Sequence, residues 1–378
     1  MAATKATAAV LTGIDSIELR EFAIPEIGDD DAILRVEACG ICGADVEQLH
    51  GHGLDMITSR YPDGSYFPVI PGHEIIGRID RIGAQAARRW GVVEGDRVAV
   101  EPNLPCRRCP ECLAGTRNCL DRSIPGFPAY SQIPVSIAPG LWGGYATHLY
   151  LHPYTQLHRV AESVSPAEAV LFNPIGNGFQ WSVLTPNLQV GQTALVLGPG
   201  QRGLASVLAL RTAGASTVMI TGLAGDRKKL ALAEEFGADH AVNVEEHDLA
   251  ESVREATGGR GFDVVIDTTP GAAHMVVQAI DFARQGGTVV LAGLKGANPV
   301  PNLLSDRIVS KELTVKGVLS ASSTAFAEAL RLIESKRFPL HKMLTHTFSL
   351  ADAKTAVETL AGSGGDKDSI CISIDTTL

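Results

Sequence analysis

The 378-residue sequence lacks three features, and each absence argues against a class of protein. It has no run of about 18 apolar residues, so no segment is expected to span a bilayer. It has no basic excess, because 32 Lys and Arg stand against 42 Asp and Glu for a net charge of −10. Nucleic acids and acidic membrane surfaces are therefore poor candidates as partners, since phosphate binding needs clustered positive charge. Its start lacks the apolar stretch of a signal peptide, and we expect a cytoplasmic protein.

Aromatic residues are also scarce, at 5%, whereas apolar residues make up 45% of the chain and charged residues 20%. This composition is ordinary for a globular protein and excludes a chain that is mainly disordered. At roughly 100–200 residues per domain, the length predicts two or three domains.

The seven cysteines do not resemble a secreted disulfide framework, because their number is odd and several have C-x2-C spacing. Four thiolates in one short segment, C-x2-C-x2-C-x6-C, match a closed tetrahedral zinc site. Such a site would be structural, because no ligand position is left open. The alternative is a set of free thiols or redox-active pairs. The four residues are Cys106, Cys109, Cys112 and Cys119.

The pattern of predicted secondary structure changes near Thr193. Segments with the alternating pattern of β-strands precede this residue. After it, predicted strands alternate with predicted helices, and the helix before the last of these strands is expected over 272–287. The strands are TALVLG, TVMITG, HAVNV, FDVVIDTT and TVVLAG. This alternation predicts an α/β fold with a doubly wound parallel sheet covered by helices on both faces. We expect a β-rich domain over 1–174, the α/β domain over 175–317, and a C-terminal segment over 318–378 that returns to the first domain.

A glycine motif joins the first strand and helix of the α/β domain. Gly198, Gly200 and Gly203 form G-x-G-x-x-G, and the strand before and helix after it favour a dinucleotide site. They would permit a tight turn, close approach to a pyrophosphate, and close packing of helix on strand, respectively. The alternative is a plain strand–helix turn. The other predicted coenzyme contacts are Gln201, Arg202, Gly222, Arg227, Lys228, Thr268 and Gly293.

The end of the second strand slightly favours NADP over NAD. An acidic residue there would bind the ribose of NAD, but the strand VMIT is followed by Gly222. The next carboxylate, Asp226, stands beside Arg227 and Lys228, which could pair with a 2′-phosphate. In the alternative, these basic residues merely open a helix and Asp226 reaches back to the ribose.

Two N-terminal motifs carry good zinc ligands at glycine-lined turns: GICGAD, with Cys42, and PGHEIIG, with His73. A catalytic zinc takes three protein ligands and keeps one position open. Cys42 and His73 are therefore candidates for a second, catalytic zinc.

Taken in order, these motifs resemble the zinc-dependent medium-chain dehydrogenase/reductase superfamily, in its alcohol and polyol dehydrogenase group. The resemblance covers nearly the whole chain. It implies a GroES-like catalytic domain, with a structural-zinc lobe at 101–122, interrupted by a Rossmann domain. It also implies hydride transfer between an alcohol or carbonyl substrate and NAD or NADP, a homodimer or homotetramer, and a catalytic zinc as Lewis acid. The residues that carry it are GICGAD, PGHEIIG, GDRVAVEP, the four-cysteine segment, GGYA, GPGQRG and the β-α repeats to GVLS.

By this resemblance, Cys42 and His73 bind the catalytic zinc and Glu74 lies near it. The third family ligand is a Cys or a Glu, but Asn173 stands at its position, and an amide oxygen is a neutral, weaker ligand. The metal is then expected to depend on Glu74, to bind loosely or to be absent.

The proton route also departs from the family. A Ser or Thr usually follows two residues after the ligand cysteine, and Ala44 replaces it. Glu47, at the best match for the family's relay histidine, is the candidate that takes its role, with His50, Glu74 or a water chain as alternatives. Arg202 is unusual too, because a small apolar residue generally backs the nicotinamide there.

Two other functions compete with a zinc-dependent dehydrogenase. One is a zinc-free quinone or alkene reductase of the same superfamily, which Cys42 and His73 oppose and Asn173 and Ala44 permit. The other is a non-redox enzyme or a coenzyme-binding protein that has lost the catalytic metal.

Overall fold

The structure is a computed structural model, and it describes residues 3–52, 61, 64–115, 119–121, 124, 128–296, 298–363 and 368–378. The chain forms two compact units. The first contains the chain up to Phe172 and again from Leu344, and the second contains Asn173–Met343. Both ends of the chain therefore build the first unit, and the second is inserted between them.

The N-terminal part of the first unit consists mainly of strands. β3 and β4 pair antiparallel, and β1 and β2 form a separate two-stranded sheet. The strands are β1 (Lys5–Gly13), β2 (Ser16–Ala23), β3 (Ala32–Ile41), β4 (Glu74–Ile82), β5 (Arg97–Val100), β6 (His148–Leu151) and β7 (Leu157–Arg159). The helices are α1 (Gly43–His50), α2 (Ala84–Trp90), α3 (Pro110–Leu113) and α4 (Pro166–Ala169).

Helix α5 (Phe172–Phe179) starts at the boundary, with its first residue in the first unit and the rest in the second, and continues as a π-helical turn at Gln180–Leu184. Strands and helices then alternate. The strands are β8 (Thr193–Leu197), β9 (Thr217–Gly222), β10 (His240–Asn243), β11 (Phe262–Asp267), β12 (Ala283–Leu291) and β13 (Thr314–Gly317). The helices are α6 (Gln201–Ala213), α7 (Arg227–Glu235), α8 (Leu249–Thr257), α9 (Met275–Phe282), α10 (Asp306–Ser310) and α11 (Ser323–Glu334).

All six of these strands are parallel, in the order β10-β9-β8-β11-β12-β13. This is the predicted doubly wound sheet, and its apolar strands are buried because helices cover parallel sheets on both faces. The strand order reverses between β8 and β11. In such sheets ligands bind at the carboxyl ends of the strands beside that reversal. A coenzyme is therefore expected to bind at the loops after β8 and β11.

The chain returns to the first unit as β14 (Leu344–Ser349), α12 (Ala353–Leu360) and β15 (Cys371–Asp375). β15 pairs antiparallel with the end of β3. The sheet has the order β14-β15-β3-β4-β5-β7, and β6 pairs with the start of β3. The last strand therefore completes the sheet that carries the GICGAD and PGHEIIG motifs.

Two boundaries differ from the sequence prediction. Helix α9 ends at Phe282 rather than at 287, because β12 begins at once and a residue with φ of 68°, Gly286, lies within the strand. Residues 318–343, predicted to return to the first unit, lie in the second. The reason is visible at Gln180, whose side-chain oxygen accepts from the N–H and hydroxyl of Ser322 at 3.1 and 2.7 Å. Among the described residues, no helix combines the length and apolarity needed to cross a membrane.

Candidate functional site

The side chains of the two predicted zinc-ligand motifs meet in the first unit. Cys42 lies just beyond β3, His73 just before β4, and these strands pair Gly40 with Glu74. The Sγ of Cys42 lies 3.1 Å from Nε2 of His73. The same thiol caps α1 by accepting the N–H of Ala44 at 3.3 Å. Strand pairing and helix capping together bring the two predicted ligands into contact.

The carboxylate of Asp45 contacts the segments that carry both predicted ligands. Its Oδ2 accepts the N–H of Cys42 at 2.9 Å, and its Oδ1 lies 3.3 Å from the N–H of Gly72 and 3.5 Å from Nδ1 of His73. Burial disfavours a charge on Asp45, but His73 and the two backbone N–H groups outweigh it and lower the pKa of this carboxyl. Asp45 is therefore a buried carboxylate that orients the imidazole.

This arrangement fits a zinc ion. Cys42, Asp45 and His73 place their ligand atoms within 4.8 Å of one another. A histidine that binds metal through one nitrogen commonly donates the other to a carboxylate, as Nδ1 faces Asp45 here. Tetrahedral zinc would separate the sulfur and nitrogen by about 3.5 Å, so the observed spacing needs only a small adjustment.

The other residues predicted in this region have varied surroundings. Glu74 is buried and extends over Gly40, where an added Cβ would lie 2.3 Å from its Oε2. Glu47 is half-buried on α1. His50 faces Asp15, with 2.7 Å between Nδ1 and Oδ1. The group that the described residues form around Cys42 and His73 contains Asp45 and none of Glu74, Glu47 or His50.

Asn173 belongs to the second unit, in the first turn of α5. It is buried, and its Oδ1 accepts from Nδ2 of Asn177 at 2.8 Å. An amide oxygen has two lone pairs, so one remains for another partner. Its role as third zinc ligand stays a prediction.

The four-cysteine lobe also fits zinc. Its sulfur atoms lie within 4.8 Å of one another, and those of Cys106 and Cys112 are 3.9 Å apart, against about 3.8 Å for two thiolates on a tetrahedral zinc. The N–H groups of Leu120 and Cys112 both lie 3.4 Å from the sulfur of Cys109 and lower its pKa to about 6. Cys119 completes the group, so all four predicted ligand atoms belong to one cluster.

The glycine motif of the second unit has the geometry of a phosphate-binding turn. Gly198 has a φ of 96°, which favours glycine. A Cβ at Gly203 would lie 1.9 Å from the carbonyl oxygen of Gly198, whereas one at Gly200 would meet no atom within 4 Å. The turn is thus closed on its inner side and open at Gly200, where α6 begins, which suits a pyrophosphate at the helix N-terminus.

Loops after three strands converge at this turn. Thr268 donates its hydroxyl to the carbonyl of Leu197 at 2.9 Å and lies 3.2 Å from that of Gly198. A Cβ at Gly293 would lie 2.2 Å from the carbonyl oxygen of Thr269. The predicted coenzyme contacts Gly198, Thr268 and Gly293 are therefore neighbours at the carboxyl ends of β8, β11 and β12.

Gln201 and Arg202 open α6, and the guanidinium of Arg202 lies 5.5 Å from the ring centre of Trp181. A cation over an indole ring at this distance is a favourable contact. Arg202, which is unusual at this position of the glycine motif, is thus stabilised by the Trp181 ring of its own unit.

The loop after β9 carries the residues predicted to choose between NAD and NADP. Asp226 turns its carboxylate to its own loop, where Oδ2 accepts the N–H of Leu223 at 3.1 Å. Arg227 forms an exposed ion pair with Glu246, and Lys228 is exposed. Gly222 packs beneath the glycine turn, since a Cβ there would lie 2.8 Å from Pro199.

Two side chains near the zinc ligands escaped the sequence prediction of the site. Asp45 had a signal, because it is the third residue after the capping Cys42, where a side chain reaches back to the cap. Ser131 had none. Its Oγ lies 3.4 Å from Nδ1 of His73, and it comes from a distant loop with a φ of 68°.

Known proteins share this architecture and these motifs. Residues 28–162 match the alcohol dehydrogenase GroES-like domain, and residues 203–335 match the zinc-binding dehydrogenase family. The chain is 44% identical to a protein of Mycobacterium tuberculosis named as a probable alcohol dehydrogenase, over 94% of each chain. It is 30% identical to erythritol/L-threitol dehydrogenase of Mycolicibacterium smegmatis, over 98% of this chain and 97% of that one.

A protein of Sinorhizobium meliloti that is named as a putative zinc-binding dehydrogenase, solved with NADP bound, superposes with a TM-score of 0.81 at 28% identity, over 99% of this chain and all of that one. These relatives do not favour the zinc-free reductase or the non-enzymatic alternative. The chain therefore belongs to the zinc-dependent alcohol and polyol dehydrogenases of the medium-chain dehydrogenase/reductase superfamily, and it is an NAD(P)-dependent oxidoreductase that acts on CH–OH groups.

Proposed function

We propose that this enzyme oxidises a secondary alcohol or polyol, or reduces the corresponding ketone, at a zinc site built on Cys42 and His73. The observation that carries the proposal is the 3.1 Å approach of Sγ to Nε2 with the Asp45 carboxylate behind the imidazole. When bound, zinc polarises the substrate oxygen and the nicotinamide exchanges the hydride. Asn173 is proposed as the third ligand, and Glu74 as the carboxylate that reaches the metal if Asn173 does not.

The side chains of the first unit then have separate tasks. Asp45 holds Nδ1 of His73, so that Nε2 is presented to the metal. Ala44 offers a backbone N–H and no hydroxyl, so the substrate proton is proposed to leave through the carboxylate of half-buried Glu47. Glu47→Gln should lower turnover without weakening coenzyme binding. Unchanged turnover and an unchanged pH–rate profile would remove Glu47 from this role.

Metal analysis and a substrate panel test the function together. The wild-type chain should contain two zinc ions, and Cys42→Ser should keep the lobe zinc and lose the other ion together with activity. Cys371→Ser is the matched control, because this buried cysteine of β15 lies outside both clusters of ligand atoms found among the described residues. Activity that survives both chelation and Cys42→Ser would contradict the proposal.

The substrate panel should compare secondary alcohols, sugar alcohols, primary alcohols, and the matching ketones and aldehydes. The names of the M. smegmatis erythritol/L-threitol dehydrogenase and of sorbitol dehydrogenases 29–30% identical to this chain support a polyol or secondary alcohol. We expect sugar alcohols or secondary alcohols to give the highest kcat/KM. A clear preference for primary alcohols would contradict this part of the proposal.

We propose NADP(H) as the favoured coenzyme. Asp226 is engaged with the backbone of its own loop, Gly222 carries no carboxylate, and exposed Arg227 stands nearby. Arg227→Gln should raise the KM for NADP and leave that for NAD unchanged. Glu246→Gln, which frees Arg227 from its ion pair, should act in the opposite direction. A higher kcat/KM with NAD than with NADP in the wild type would overturn the preference.

We also propose a homodimer as the minimum assembly, formed through the edge of the parallel sheet. All four residues of edge strand β13 are exposed in the single chain, and Val309 and Leu304 nearby are exposed apolar side chains. An open strand edge with apolar surroundings readily pairs with another strand. Val315→Glu should therefore lower the mass measured by light scattering, whereas Val190→Glu, at another exposed valine, should not. A wild-type monomer would contradict the proposal.

A cytoplasmic location is the last proposal. It is supported by the four-thiol lobe, because zinc binding needs reduced cysteines and the cytoplasm keeps them reduced. Export of the chain would contradict it, and fractionation of cells that express it measures this.

A further inference from the structure

Ser131 is held in a strained conformation beside the imidazole of His73. Its φ is 68°, in the left-handed region that glycine favours, and the residue is 1% exposed. A residue other than glycine pays conformational energy in this region, and residues strained in this way cluster at functional sites. The Oγ of Ser131 lies 3.4 Å from Nδ1 of His73. The unfavourable backbone conformation therefore brings a hydroxyl to the ring of a proposed zinc ligand.

The backbone of Ser131 is fixed from two directions. Its N–H donates to the carbonyl of Trp142 at 2.7 Å, and its own carbonyl accepts from Nε2 of Gln48 at 2.7 Å. Gln48 is 2% exposed and lies on α1, the helix that Cys42 caps. A strained residue persists only where its surroundings fix it, and here one of the fixing contacts comes from the helix that begins at the other proposed ligand.

Four side chains form a sequence of hydrogen bonds, which we call the Ser131 chain, and its direction can be assigned. Because the carbonyl of Ser131 can only accept, the end of the Gln48 amide that faces it is the nitrogen. The same Nε2 donates to the hydroxyl oxygen of Tyr66 at 2.5 Å, and Tyr66 donates its own hydrogen to Oε1 of Gln132 at 3.0 Å. The nitrogen of Gln132 then faces Oγ of Ser131 at 3.3 Å as a donor.

This direction decides what Ser131 can offer to His73. A hydroxyl oxygen has two lone pairs, and Gln132 occupies one of them. The other can accept the Nδ1–H of His73, which also faces the carboxylate of Asp45 at 3.5 Å. When the hydrogen is on Nδ1, the lone pair of Nε2 is free, and this is the form of the ring that binds zinc. The Ser131 chain therefore adds a neutral acceptor to the charged one that Asp45 supplies.

We propose that Ser131 is a positioning residue that fixes the ring of His73 for zinc. Gln132, Tyr66 and Gln48 hold its hydroxyl in place and direct a lone pair to Nδ1. This inference rests on the proposed function, which puts zinc on Nε2 of His73. Loss of the hydroxyl weakens zinc binding at this site and leaves the zinc of the four-cysteine lobe unaffected.

Ser131→Gly separates the hydroxyl from the backbone. Glycine adopts a φ of 68° without strain, so this variant removes the hydroxyl and relieves the backbone together. Competition with a chelator, on the full chain loaded with zinc, should show about tenfold weaker binding of one of two ions. The thermal midpoint in excess zinc should not fall. A serine that served only its own turn would give unchanged zinc binding.

Tyr66→Phe tests the Ser131 chain at a distance from the metal. It removes the hydroxyl that links Gln48 to Gln132 and keeps the ring. We expect about threefold weaker binding of the same zinc ion, a small share of one hydrogen bond. Combined with Ser131→Gly, it should weaken zinc binding no further, because residues of one network do not act additively.

Tyr130→Phe is the matched control. This phenol is also 1% exposed and precedes Ser131 in the sequence, but its hydroxyl bonds Thr155 at 2.6 Å and is outside the Ser131 chain. Its loss should leave the affinity for both zinc ions unchanged.

Several outcomes would overturn the inference. Wild-type zinc affinity in Ser131→Gly would do so, and equal weakening of both zinc ions would show a general loss of structure instead. An additive effect of Tyr66→Phe on Ser131→Gly would remove the Ser131 chain as the link. Should Ser131→Gly fail to fold, Ser131→Ala removes the same hydroxyl and makes the same comparison. A wild type that binds zinc only at the four-cysteine lobe would refute the proposed function itself and this inference with it, a result distinguishable from the others.

Discussion

Replacement of Asp45 by Asn tests whether a buried carboxylate orients the ligands of the proposed catalytic zinc site. The carboxylate accepts hydrogen bonds from the N–H groups of Cys42 and Gly72 and faces Nδ1 of His73. An amide keeps only one oxygen, so at least one of these donors would face an NH2 group instead. A buried N–H without an acceptor costs about 1–3 kcal/mol. The loss of a carboxylate behind a metal-binding histidine typically weakens metal affinity by about 10–100-fold.

The assay is a competition between the protein and a chelator, with zinc content measured after equilibration. Asp45→Asn should release one zinc ion at about 10–100-fold lower chelator strength and leave the lobe zinc in place. Asp15→Asn is the matched control, because Asp15 also faces a histidine, His50, but this pair is partly exposed and outside the site. If Asp45→Asn retained wild-type zinc affinity, or lost both ions together, the argument that Asp45 orients His73 would be refuted.

Three further predictions follow from local geometry. Gly203→Ala would bring a Cβ to 1.9 Å from the carbonyl oxygen of Gly198, so it should lower the thermal midpoint and weaken coenzyme binding, whereas Gly200→Ala should leave the midpoint unchanged. Cys112→Ser should cost one of two zinc ions and lower the midpoint while the zinc at Cys42 stays, as metal analysis would show; loss of both ions would contradict two separate sites. Burial lowers the pKa of His152 from its ordinary 6.5 to about 4. Because the folded pKa lies below the unfolded one, stability is fully present above pH 6.5 and falls as the pH drops toward 4. His152→Asn should flatten that decline in urea-unfolding curves, and an unchanged decline would contradict this assignment.

The sequence predicted the fold class because its signals are local. Buried parallel strands appear as short continuous apolar runs, and helices between them give the alternation its period. The ends of elements were less accessible. Helix α9 was predicted to continue to 287, but a strand with a left-handed Gly286 begins at Ala283. The pairing of β12 with β11 decides that boundary, and the local sequence does not contain it.

The residues of the candidate site also fall into those that short motifs predict and those that only the fold brings together. Cys42, His73 and the four lobe cysteines stand in short motifs, and the structure gathers each set within 4.8 Å. Ser131 approaches His73 only because a loop nearly 60 positions later folds back with a strained residue. No spacing rule could have selected it.

The departures from the family pattern have a different meaning once their partners are known. Taken alone, Asn173 is a weaker replacement for a thiolate or carboxylate ligand. In the structure it is one half of a buried amide pair, because Asn177 donates to both of its oxygens. A donor on Oδ1 draws electron density away from that oxygen and makes it a poorer metal ligand, yet it also fixes the direction of the remaining lone pair. The pair thus gives Asn173, as the proposed third ligand, less donor strength but a fixed orientation. Asn173 and Asn177 should therefore be substituted together as well as singly, because each sets the hydrogen bonding of the other and their effects will not add.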